Sequence, residues 1–120
     1  QIFDGDGKFI TMWNNIHRPD GMTIGPDGNI YIGELNGMGG VDDAPGLGHR
    51  VSILSPQGEL LARVGDPEEG EEAGKFIAPH GIAVDSKGDV YVGEVSYTIR
   101  GSHMDPPREL NSLSKLRRVR

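Results

Sequence analysis

The sequence predicts an all-β protein of short antiparallel strands, and three observations carry that expectation. One pattern, Pro19–Glu34, returns as Pro79–Glu94, with Pro, both outer Gly, the turn Gly, Tyr and Glu recurring 60 positions later without a gap. In each copy Val, Ile and Tyr alternate with small or polar residues on either side of a turn, the period of two that a half-buried strand needs. The composition, 19 Gly and 8 Pro against 35% hydrophobic residues, suits many turns and thin sheets better than helices around a thick core.

Taken in order, residues Gln1–Trp13 read as a hairpin turning at Asp4-Gly5-Asp6-Gly7. Pro19–Glu34 follows as a second hairpin, turning at Pro26-Asp27-Gly28-Asn29. Arg50–Val64 repeats the first kind: with Gly7 set on Gly58, Ile2 falls on Ile53, Phe3 on Leu54, Phe9 on Leu60 and Ile10 on Leu61. Pro79–Glu94 repeats the second kind and turns at Asp85-Ser86-Lys87-Gly88-Asp89. After Val95–Arg100 and a long segment around Asp105-Pro106-Pro107-Arg108, residues Ser114–Arg120 read as one more strand, the counterpart of His49–Leu54. Asn36–His49 is a glycine-rich insertion, and Asp66–Gly74 an acidic connector that reads as a solvated spacer.

The two kinds of hairpin alternate, so one full unit, about Pro19 to Val64, is a four-stranded antiparallel meander. Repeats of this size and strand number are the signature of propeller blades, which stack because one blade cannot cover its own faces. Two unrelated hairpin pairs in a sandwich would not need position-by-position identity. The expected fold is therefore a β-propeller fragment of about two four-stranded antiparallel blades. Residues 1–16 form the outer hairpin of a preceding blade, 17–65 a complete blade, 66–76 the connector and 77–120 a last blade of three strands. The remainder of the ring comes from a longer chain or from an oligomer.

Charge and composition exclude some roles. A net charge of −6 argues against nucleic-acid binding, and Lys115, Arg117, Arg118 and Arg120 lack the interleaved aromatics that would make the basic tail an exception. Without cysteine there is neither a disulfide nor a thiolate metal site within this sequence. No apolar run is long enough to span a membrane. A secreted or periplasmic location is expected only if a signal peptide precedes Gln1.

The pattern Pro-x-Gly-(apolar)-x-(apolar)-x-(Pro/Ser)-x-Gly-(Asn/Asp)-(apolar)-Tyr-(apolar)-Gly-Glu resembles the NHL repeat, from Gln1 to about Ser96. That resemblance implies a six-bladed propeller. Lys75–Val84 looks like the last blade of the peptidyl-α-hydroxyglycine α-amidating lyase family, and Asp105–Leu110 is similar to the ending of bacterial NHL proteins of that kind. The family implies cleavage of a peptidyl-hydroxyglycine to an amidated peptide and glyoxylate, with zinc held by channel histidines and calcium as a further metal. His80, in its Phe-x-x-Pro-His context, falls on a zinc ligand. Asp20 falls where another ligand histidine is expected, Gly81 replaces an aspartate, Ala78 replaces a methionine, and Leu35 stands near an expected arginine.

Propeller geometry points to the same positions independently. The first strand of each blade lines the axis, so Asp20 and His80 enter the channel at equivalent places. There they hold a metal, act as an acid–base pair, or close the channel by bonding to strand ends. His17, beside Arg18-Pro19, is a third channel candidate. Glu34 and Glu94 are candidates too, although a residue kept in both copies suits blade geometry better than unique chemistry. His49 and His103 read as solvated, and Trp13 as packing between blades. Two functions follow: a metal-assisted lyase acting on a small molecule or peptide in the channel, or a scaffold whose rim loops, Asn36–His49 above all, bind a protein or small ligand.

Overall fold

The computed structural model describes residues 1–36 and 47–119. Its strands are β1 (Ile2–Phe3), β2 (Phe9–Thr11), β3 (Pro19–Ile24), β4 (Ile30–Glu34), β5 (Arg50–Leu54), β6 (Leu60–Val64), β7 (Pro79–Val84), β8 (Val90–Glu94) and β9 (Leu113–Leu116). They form three antiparallel sheets, a pair β1-β2, a four-stranded meander β3-β4-β5-β6, and a three-stranded meander β7-β8-β9. The expected all-β class and the grouping of the hairpins hold. The last strand is shorter than expected, ending at Leu116.

All four tight hairpins use one turn. The first residue donates to the carbonyl four positions on, and the fourth, a glycine, donates back to the first. Gly7, Gly28, Gly58 and Gly88 all carry φ between 79° and 87° at this point, a left-handed conformation that costs glycine nothing. Where the first residue is Asp4, Ser55 or Asp85, its side-chain oxygen also accepts the backbone N–H groups two and four positions on. Gly25 has no such oxygen, because a Cβ there would lie 2.6 Å from the Tyr31 ring. Asp27 takes over, accepting from the Asn29 N–H at 3.1 Å and from the Tyr31 hydroxyl at 2.9 Å.

The second and third sheets pack face to face. Cross-strand partners and alternate residues share a face, which puts Tyr31, Gly33, Val51 and Ile53 of the second sheet against Ile82, Val84, Val90, Val92 and Leu116 of the third. Phe76, 1% exposed, seals this core. The opposite face of the second sheet, Met22, Ile24, Ile30, Ile32 and Leu54, looks towards the β1-β2 hairpin. Trp13 lies over Gly58 on that side, so close that a Cβ on Gly58 would be 2.4 Å from the indole.

The segment after β8 folds more than its sequence suggested. Ser96–Ile99 forms a helical turn, α1, and Gly101–His103 a 3-10 turn. They close a second core of Ile77, Ala78 and Leu110 with Leu35, Val95, Ile99 and Met104. The acidic connector is tied to this segment rather than solvated along its length. Glu69 pairs with Arg100, while Glu71 accepts from Arg108 at 2.6 Å and from the Asn111 N–H at 3.0 Å. His49 is likewise held. Its side chain is 13% exposed, with Nδ1 2.7 Å from the Ile77 carbonyl. Residues 37–46, most of the Asn36–His49 insertion, lie outside the described residues, as does Arg120.

Candidate functional site

The site begins with two irregularities in the repeat. The β3–β4 register shifts between Pro19 and Met22, and the β7–β8 register between Pro79 and Gly81. Asp20 and His80 fall within these bulges. A bulge leaves one residue unpaired and turns its side chain away from the alternation of the strand. Here the two turned side chains meet: His80 Nε2 lies 3.1 Å from Asp20 Oδ2, the imidazole 52% and the carboxylate 31% exposed. The contact joins the first strands of the second and third sheets, at the same repeat position in each.

Backbone packing makes that approach feasible. A Cβ on Gly21 would sit 2.0 Å from the His80 carbonyl oxygen, so β3 and β7 can close only because residue 21 has no side chain. A Cβ on Gly33, one strand further, would lie 3.3 Å from Ile82 and from the Pro79 carbonyl. Close approach therefore explains Gly21, whose φ is not positive. A Cβ on Gly81, at the same repeat position, would meet nothing within 4 Å.

Glu34 and Glu94 hold the chain leading into each bulge. Glu34, fully buried, accepts the His17 N–H at 3.1 Å, pairs with the Arg50 guanidinium at 2.9 Å and accepts the Ser52 hydroxyl. Glu94 accepts the N–H groups of Ile77 and Ala78 at 2.6 and 2.9 Å. Ile77 is the repeat counterpart of His17, so both glutamates do one job. The backbone agrees, since Leu35 donates to the Arg18 carbonyl and Val95 to the Ala78 carbonyl. Burial pushes the Glu94 carboxyl up, against the opposing pull of the two N–H groups and His49.

Of the five residues singled out in the sequence, the structure brings Asp20 and His80 together. It places His17 in a separate cleft with Asn14, Asn15, Leu47, Arg50 and Arg63. Glu34 is withdrawn into its ion pair with Arg50. The bulges were not legible in the sequence, and neither was the positive φ of 40° at Arg18, two residues before Asp20.

Chemically, an imidazole nitrogen and a carboxylate oxygen at this distance can pass a proton or hold a cation between them. Two donors about 2.0 Å from a tetrahedral ion stand a little over 3 Å apart, and nitrogen with oxygen is an ordinary zinc pair. Asp20 and His80 therefore fit two corners of a zinc site. Among the described residues no group of three or more His, Cys, Asp or Glu completes it. A scan of this sequence against protein-family models finds no match, and a search of curated proteins finds none either.

Proposed function

We propose that this chain forms neighbouring blades of a six-bladed NHL-type propeller, and that Asp20 and His80 are its contribution to a site on the ring axis. The site belongs to a metal-assisted lyase of the peptidyl-α-hydroxyglycine type, acting on a small molecule or peptide. One observation carries this reading. Asp20 and His80 hold one repeat position with different chemistry in the two copies, and bulges turn these two side chains towards each other. Residues serving only the blade, such as Tyr31 and Tyr91 or Glu34 and Glu94, stay alike in both copies and bond within their own hairpin or to the chain leading into it.

In this reading Asp20 and His80 hold zinc by one oxygen and one nitrogen, with further donors from other blades. The metal, when bound, supplies charge to polarise the hydroxyl or carbonyl oxygen of the substrate. The chain's own part is positioning. Glu34 and Glu94 pin the strand entries, and Gly21 lets the two inner strands close until the donors share one ligand. Calorimetric titration with zinc tests this. Wild-type protein takes up zinc, and His80→Ala and Asp20→Asn each weaken it at least about tenfold, roughly 1.4 kcal/mol. Uptake unchanged by His80→Ala contradicts the reading. The scaffold alternative rests on the Asn36–His49 loop, most of which lies outside the described residues.

A further inference from the structure

The β3-β4/β7-β8 contact has two sides, and each side occurs a second time on the molecule, open on the third sheet and partly covered by the N-terminal segment on the second, where Ile2, Trp13 and Ile16 line a cleft with Met22, Ile30 and Ile32. On the third sheet, the face turned away from the core carries Gly81, Ala83, Tyr91, Gly93 and Leu113, together with Lys115, whose ammonium lies 4.9 Å from the Tyr91 ring centre and would swing aside on docking. These are the repeat counterparts of Gly21, Thr23, Tyr31, Gly33 and Val51, which the third sheet covers on the second. Val51 is 1% exposed, whereas Leu113 is 66% exposed. The space over Gly81 is open, whereas that over Gly21 is filled by the His80 backbone. At the other end, Met22, Ile24, Ile30 and Ile32 are the counterparts of Ile82, Val84, Val90 and Val92, which do the covering. Met22 and Ile24 are 66% and 69% exposed, beside an apolar cleft of about 520 Å³.

We propose that a second copy of this chain docks its β3-β4 face onto the free β7-β8 face of the first, repeating between molecules the contact that joins the sheets within one. The two surfaces differ, so the contact is head-to-tail and continues until a ring closes or a filament grows. β9 of one copy takes the place that β1 holds against the other, and the β1-β2 hairpin, paired at only Ile2↔Thr11 and Phe3↔Phe9, moves aside. The proposal rests on the blade-stacking part of the reading above and not on Asp20–His80 chemistry, so zinc uptake and association can fail separately.

Sedimentation of the full chain across about 1 to 300 μM, where a micromolar contact titrates, gives the test. Wild-type mass rises with concentration above 12.9 kDa. Met22→Glu with Ile24→Glu spoils one face, and Ala83→Glu with Leu113→Glu spoils the other. Each double variant alone stays at the monomer mass, and their equal mixture forms a dimer and nothing larger. Gly81→Ala, which meets nothing in the monomer, leaves the melting temperature unchanged and also blocks association, a milder check should a charged variant fold poorly. A wild type that stays monomeric overturns the proposal. So does a double variant that associates like wild type, or a mixture that stays monomeric.

Discussion

Single side chains in this molecule sort by whether the repeat keeps them. Glu34 is kept as Glu94, and its carboxylate gathers a buried guanidinium, a hydroxyl and a backbone N–H. Removing one partner of a buried pair costs about 3–5 kcal/mol. Glu34→Ala should therefore lower unfolding stability in urea by that order. Glu94→Ala, which mainly frees two backbone N–H groups, should cost about 1–3 kcal/mol. Equal, small losses at both sites would show the glutamates to be incidental. Asp89 belongs to another set. The Arg118 backbone N–H and then the Lys115 ammonium hold its carboxyl below the ordinary value of 3.8. A carboxylate lowered on folding stabilises the protein above its unfolded pKa, and that stability is lost as pH falls through the folded value. The melting-temperature gap between wild type and Asp89→Asn should shrink as pH drops from about 6 to 3. A gap independent of pH would contradict the pairing.

At the scale of elements, periodicity and turn chemistry made the hairpins legible. The Gly7-to-Gly58 alignment even anticipates a shared irregularity, because Ile2/Phe3 and Ile53/Leu54 carry the same register shift. The bulges at Asp20 and His80 left no trace, since one unpaired residue in a strand does not disturb the letters around it. Ser96–His103 was missed for a related reason. A four-residue helical turn is too short to show a period, and it is held by packing on Ile77 and Leu110. The connector looked like a spacer because its charges are dense, and only folding brings Arg100 and Arg108 to it. Gly21 is the element-level test. Gly21→Ala places a methyl 2.0 Å from the His80 carbonyl oxygen, far inside van der Waals contact, so β3 and β7 must separate. A loss above about 2 kcal/mol is expected, at the severe end for point substitutions, and a neutral result would mean that the sheets are not packed as described.

For the whole molecule, the second and third sheets repeat one hairpin and pack face to face. That packing brings Asp20 and His80, equivalent positions of the two sheets, into contact. The sequence showed that these two positions correspond. It could not show that they touch, which depends on two bulges and on the missing side chain of Gly21. Metal binding at this contact is read by nitrogen NMR of the imidazole rings of His17, His49, His80 and His103 during zinc titration. The His80 Nε2 resonance should move first and farthest, and Asp20→Asn should blunt the shift. A His80 ring that stays unmoved while zinc binds elsewhere would contradict it.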